Sequence, residues 1–223
     1  MRPGLSVSSS SPRPRICSNG KMPTDASDVE DEDEACVDGR VLRGQRNREA
    51  IVDALLDIYA CGNLRPTAGQ VAEEAGLSTR TVYHHFDDMK SLILEVSARS
   101  EQRVNTPDYE ALSTLPIDER ICRYTAHRFD RWSATAAVVS AGLLAEYDSK
   151  VVAELMQVSR REQLDELRAV FCDAIDETDD PGAVVGALDV ILGFEMWNGL
   201  IRIRRLGRDR ATRIVVKLVT ALL

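Results

Sequence analysis

Aromatic residues are scarce in this sequence, with four Phe, five Tyr and two Trp making up 5% of 223 residues. No stretch alternates apolar and polar residues over a strand's length, and no fixed-period repeat is visible, which excludes sandwiches, barrels and solenoids. Apolar runs are short. The longest that is also uncharged is Trp132–Ala145, 14 residues, too few to cross a bilayer. Cys17, Cys36, Cys61, Cys122 and Cys172 are odd in number, and no two lie closer than 19 residues. That spacing excludes a C-x-x-C motif, and no Cys/His cluster exists, so neither a disulfide framework nor a zinc site is expected. The last three cysteines fall in helical patterns and are expected to act as small core hydrophobes. There is no glycine-rich phosphate loop and no nucleophile–base arrangement, so no enzyme, no cofactor and no metal are expected. No apolar run of seven residues follows Arg2, which argues against a secretory leader and makes the cytoplasm the expected compartment.

What is present is helical and charged. Hydrophobic residues reach 44% and charged residues 29%, with 36 Asp and Glu against 28 Lys and Arg for a net charge of −8. The charge is uneven. Residues 1–39 carry −4, residues 40–105 are neutral, and residues 106–223 carry −4. The first segment holds the serine run Ser8–Ser11, then six carboxylates within Asp28–Glu34. It has too little apolar surface to offset the entropy of ordering it, so residues 1–40 are expected to be a disordered tail, and Met22 offers a second possible start.

From Gln45 to Gly62 apolar residues recur at helical spacing: Ile51, Val52, Leu55, Leu56, Ile58 and Tyr59. Thr67 and Gln70 form a capping box ahead of a short helix, Ala68 to Ala75. Gly76 stands where a helix end needs a left-handed residue, and Ser78 can cap the next helix, Thr79 to His85. Asp87 and Asp88 precede a further helix with Leu92, Ile93 and Val96. Two short helices joined by a glycine turn and backed by a longer helix are a helix-turn-helix unit. In it Val82 and Phe86 face the core, while Thr79, Arg80, Thr81, Tyr83 and His84 point outward. Beyond Pro107 helices are expected near 117–132, 135–147, 150–176, 183–205 and 209–222. The expected fold is all-α, in three parts: a tail over 1–40, a three-helix helix-turn-helix domain over 41–104, and a larger helical domain over 105–223.

The run Val71-Ala72-Glu73-Glu74-Ala75-Gly76-Leu77-Ser78, followed by Thr81-Val82-Tyr83-His84-His85-Phe86 and Leu92, resembles the DNA-binding domain of the TetR family of bacterial transcriptional regulators. The resemblance covers residues 46–96. It implies a homodimer whose two reading helices enter successive major grooves, about 34–36 Å apart, on a near-palindromic operator. Arg80 suits a guanine edge, and the methyl of Thr79 or Thr81 suits thymine. Thr67 and Ser78, at helix N-termini, suit phosphate, as do Tyr83, His84 and Lys90. Arg43, Arg46 and Arg48 supply an arm of positive charge. Two departures from the family pattern stand out: Met89 stands where a phosphate-binding lysine is usual, and Ala68 and Gly69 stand where some members place longer side chains. Adjacent His84 and His85 diverge by about 100° on a helix and are not a metal pair.

The resemblance also implies a C-terminal dimer interface and a pocket for a small effector. Interface candidates are Leu188, Ile191, Leu192, Ile214, Leu218 and Leu222. Pocket candidates are Tyr124, His127, Trp132, Tyr147, Phe171, Glu195 and Trp197, with Glu195 the one carboxylate among them. The expected function is a ligand-released repressor. The alternative is a helical small-molecule or protein-binding module that does not hold DNA.

Overall fold

The computed structural model describes residues 27–223, with side chains from Gly39 onward. The chain divides into two compact units, Met1–Leu42 and Arg43–Leu223. Residues 1–26 of the expected tail lie outside the described residues. The remainder of that segment is helix, because α1 runs Ser27–Ala60 and starts well ahead of Gln45.

The helices that follow are α2 (Ala68–Glu74), α3 (Thr79–His85), α4 (Met89–Glu101), α5 (Tyr109–Ser113), α6 (Ile117–Ala145), α7 (Lys150–Asp176), α8 (Pro181–Leu192), α9 (Phe194–Asn198) and α10 (Arg208–Thr220). One π-helical turn, Gly199–Ile203, follows α9, and among the described residues there is no strand. Unit 2 holds two apolar clusters. One joins α1, α2, α3 and the first half of α4 around Leu55, Val82, Phe86 and Leu92, with Ala141 of α6. The other joins α6 through α10 around Tyr124, Trp132, Phe171, Leu188 and Trp197.

Three expectations about the second half are corrected. A break was expected near Ser133, but α6 is one helix of 29 residues. The Ser133 hydroxyl donates back to the Phe129 carbonyl at 2.7 Å instead of capping a new helix. The expected helix over 183–205 is broken at Gly193, whose backbone is extended (φ −72°, ψ 166°). A Cβ there would lie 2.8 Å from the Asp189 carbonyl oxygen, so only glycine fits. The break frees the Leu192 carbonyl, which accepts from Trp132 Nε1 at 2.9 Å and Arg128 Nε at 3.2 Å. Finally, Cys61, Cys122 and Cys172 are exposed. Cys122 and Cys172 occupy solvent-facing helix positions and Cys61 the turn after α1, which periodicity at one residue does not resolve.

Pro181–Ile203 is long and apolar enough by composition to cross a membrane. The count of uncharged runs passed over it because Asp189, Glu195 and Arg202 interrupt it. It is broken at Gly193, and its Leu188, Leu192, Phe194 and Trp197 are buried in the protein's own core.

Candidate functional site

The geometry of the α2–α3 unit follows from local chemistry. Thr67 Oγ1 accepts from the Gln70 amide at 3.3 Å while Gln70 Oε1 accepts from the Thr67 amide at 2.9 Å, closing the capping box. At the other end Leu77 N–H donates to the Ala72 carbonyl and Gly76 N–H to that of Glu73, at 2.9 and 3.1 Å. This double closure needs a left-handed residue, and Gly76 has φ +67°. Ser78 Oγ then accepts from the Thr81 amide at 3.1 Å and fixes where α3 starts.

Only Val82 and the following Phe86 bury α3, each 2% exposed. Thr79, Arg80, Tyr83 and His84 are exposed, as are Thr67, Ser78, Lys90, Arg43 and Arg46. No ion pair holds Arg80, Lys90, Arg43 or Arg46 among the described residues. Thr81 is different: half-buried, with its hydroxyl 2.8 Å from Ser78 Oγ, it shapes the cap more than it faces outward. Asp88 caps α4, accepting from the Ser91 amide at 2.9 Å, and that bond holds its carboxyl below the usual carboxylate range. Lys90 stands one residue beyond Met89 in the first turn.

Arg48 does not belong to the arm. It pairs with Glu95, donates Nη1 to the His85 carbonyl at 2.8 Å, and stacks over the Phe86 ring at 4.3 Å. The side chain clamps α1 to α3 and α4. Burial, with His84 and Arg48 nearby, pushes the His85 pKa down. Among the described residues no three His, Cys, Asp or Glu side chains converge on a metal position.

The seven pocket candidates are not gathered in one cavity. Tyr124 and Phe171 are fully buried and pack edge to face at 5.5 Å, while Trp197 is core beside Phe194. Tyr147 is 86% exposed. His127 lies 3.3 Å from Tyr109 Oη and lines an open surface pocket. Trp132 and the exposed Glu195 share a cleft of about 240 Å³. Of the interface candidates, Leu188 and Leu192 are consumed by the chain's own core at 0% and 3% exposure, so they cannot reach a partner. Ile191, Ile214 and Leu222 are half-buried and Leu218 is 40% exposed.

A different cavity, about 220 Å³, opens between α4, α6 and α7. Ile93 and Leu94 of α4, Val138 of α6, and Val152 and Leu155 of α7 give it apolar walls, with Glu101 and Arg131 at its polar side. It has no local signature in the sequence, because its apolar walls come from three helices up to some sixty positions apart and are ordinary aliphatics.

Behind Arg131 lies a buried polar network. Arg131 Nη1 donates to both Glu166 oxygens at 3.1 and 2.9 Å, and Nη2 is 3.0 Å from Glu101. Arg128 stacks over Trp132 at 4.7 Å and donates Nη2 to Gln163 at 3.0 Å. Burial pushes the Tyr124 hydroxyl up to about 12 and lowers the His127 pKa, the latter helped by Arg128.

Residues 51–96 match the profile of "Bacterial regulatory proteins, tetR family". No curated protein sequence matches the chain. Among solved structures, a TetR-family transcriptional regulator from Streptomyces coelicolor is similar at 18% identity and TM-score 0.58, over 80% of this chain and 79% of that one. The SmeT–triclosan complex is similar at 18% identity and TM-score 0.56, over 78% of this chain and 90% of that one. At these identities the structures speak for a common fold. Residues 51–96 thus carry a helix-turn-helix similar to that of the tetR family, with α3 turned outward, on a fold shared with TetR-family regulators.

Proposed function

We propose that the protein is a dimeric repressor of the cytoplasm that holds a near-palindromic operator with two α3 helices and releases it when a small molecule fills the α4/α6/α7 cavity. The observation that carries this reading is the double use of α4. Leu92 and Val96, both 0% exposed, sit in the core that supports α3. Ile93, Leu94, Ser97 and Glu101 of the same helix wall the cavity. A ligand that favours one placement of α4 therefore biases the placement of α3, and operator affinity falls by the difference in binding energy between the two placements. SmeT, similar in fold, forms a complex with triclosan, which supports a small-molecule role for the larger domain.

On DNA, Arg80 reads a base edge. Arg43, Arg46, Lys90, Tyr83 and His84 meet phosphates, with the exposed Thr67 and Ser78 at the helix starts. For pairing of two chains, Val190, Ile203 and Leu218 are exposed apolar side chains at 65%, 70% and 40%, and Ile191, Ile214 and Leu222 are half-buried. No residue is assigned a catalytic role.

The test is binding of the full chain to duplex DNA flanking its own gene, against random duplex, over a salt series. Specific binding at least a thousandfold above random is expected, on the order of known regulators. Arg80→Ala relaxes sequence preference by about 1–3 kcal/mol at one base pair, whereas Lys90→Ala weakens every duplex alike and lowers the salt slope by about one. Equal affinity for random and flanking duplex sinks the repressor reading. A monomer by light scattering at micromolar concentration sinks the paired arrangement.

A further inference from the structure

We infer that the α4/α6/α7 cavity takes an amphipathic carboxylate, whose anionic group replaces the Glu101 carboxylate on Arg131 and so unties α4 from α6. This rests on the effector-cavity reading above and specifies its ligand and its switch.

Arg131 lines the cavity, yet it is only 6% exposed. Its Nε–H finds no hydrogen-bond acceptor. Buried donors without acceptors are costly, and an anionic or strongly accepting group is what they would gain from. Apart from Glu101, Glu162 and the hydroxyl residues Ser97, Ser100, Thr135 and Ser159, the rest of the lining is apolar and comes from three helices, which suits a hydrocarbon body. A cationic ligand would instead meet Arg131 and leave its Nε–H without an acceptor.

The two carboxylates on Arg131 are not equivalent. Glu166 takes two hydrogen bonds and its side chain is 19% exposed. Glu101 approaches a single guanidinium nitrogen, and its side chain is 41% exposed. Glu101 is thus the carboxylate that water can accept at least cost. Exchanging it for a ligand carboxylate keeps the charge beside Arg131 unchanged, so the buried network stays balanced. What changes is mechanical: Glu101 is in the last turn of α4, and its ion pair is a direct polar tie from that helix to α6.

The experiment is titration calorimetry of the full chain with octanoate and its neutral isostere octanamide, on the wild type, Arg131→Gln and Glu101→Gln. Octanoate is expected to bind about tenfold tighter than octanamide, the difference between a charge-assisted and a neutral contact. Arg131→Gln erases that preference. Glu101→Gln tightens octanoate several-fold, because no resident carboxylate has to leave, and does not change octanamide. Amide hydrogen exchange across α4 speeds up with octanoate and not with octanamide. Should Arg131→Gln fail to fold, Glu101→Gln at its half-exposed position carries the test. Equal binding of the two compounds overturns the anion exchange and leaves the cavity reading standing, as does weaker octanoate binding in Glu101→Gln. Binding of neither compound, in the wild type or in Glu101→Gln, overturns the effector-cavity reading itself.

Discussion

Around Phe86 the buried side chains are Ile51, Leu55, Val71, Val82, Leu92 and Val96, with no ionised group among them. Around Trp132, by contrast, Arg120, Arg128 and Arg131 are buried with Thr125 and Thr135. In the first region charge stays at the rim, where Arg48 closes the edge against Glu95 and the His85 carbonyl. In the second it runs through the interior, with Arg128 and Arg131 converging on Glu166 and Arg120 on Asp173. An apolar core of interlocked aliphatics has one good packing and holds the reading helix in one attitude. A polar interior gains little net stability over an apolar one and has alternative pairings open to it. On the proposed reading, rigidity falls to the part that touches DNA and rearrangement to the part that binds the small molecule.

That contrast can be broken most forcefully at Glu166. Glu166→Ala leaves Arg128 and Arg131 side by side without their shared carboxylate and is expected to cost about 3–5 kcal/mol in denaturant unfolding. A loss under about 1 kcal/mol would mean that water already balances these charges and that the second interior is not built on them. Next in size is the turn before α3. Gly76→Ala meets no atom within 4 Å, so its cost isolates the left-handed backbone, about 1–2 kcal/mol. It should also weaken DNA binding, while ligand binding in the larger domain is unaltered. No change in melting would show that the turn is not held at φ +67° in solution.

The finest discrimination comes from pH. His85 in the first region and His127 in the second both have pKa values held below the ordinary 6.5, chiefly by burial. The folded chain therefore resists the proton that the unfolded chain accepts. Stability is full above about 6.5 and declines as pH falls from there toward the lowered folded values. His127 faces Tyr109, Arg128, Arg131 and Glu166 and is the more buried of the two, so His127→Gln should flatten the decline between pH 7 and 5 more than His85→Gln does. The reverse order in melting temperatures would place the larger penalty in the apolar region.

The same division decides what could be read from sequence. The capping box at Thr67, the turn at Gly76 and the cap at Ser78 are signals within four residues of their effect, and each stands where it was expected. Helix α7 likewise spans Lys150–Asp176, as its periodicity indicated. The polar interior was illegible because its partners are distant: Arg128 meets Gln163 and Leu192, and Arg131 meets Glu166, at separations of 35 to 64 positions. Aromatic residues misled for a related reason. Tyr124, Phe171 and Trp197 fill the core, and an aromatic pattern looks the same whether a ring fills space or borders it. Arg48 looked like one more basic group of the arm until its three contacts, 37 to 47 positions away, were in view.

Helix α6 has one further implication. At 29 residues it is a beam about 43 Å long. Ala141 near one end is seated among the residues that support α3, and Ile121 near the other is seated among those around Phe171. No proline interrupts it between these seats. Pivoting on its Ile121 seat, such a helix answers a push by tilting. The sideways travel of its α3 end then grows with distance from the pivot, so a small adjustment beside Trp132 arrives at the DNA side as a larger one.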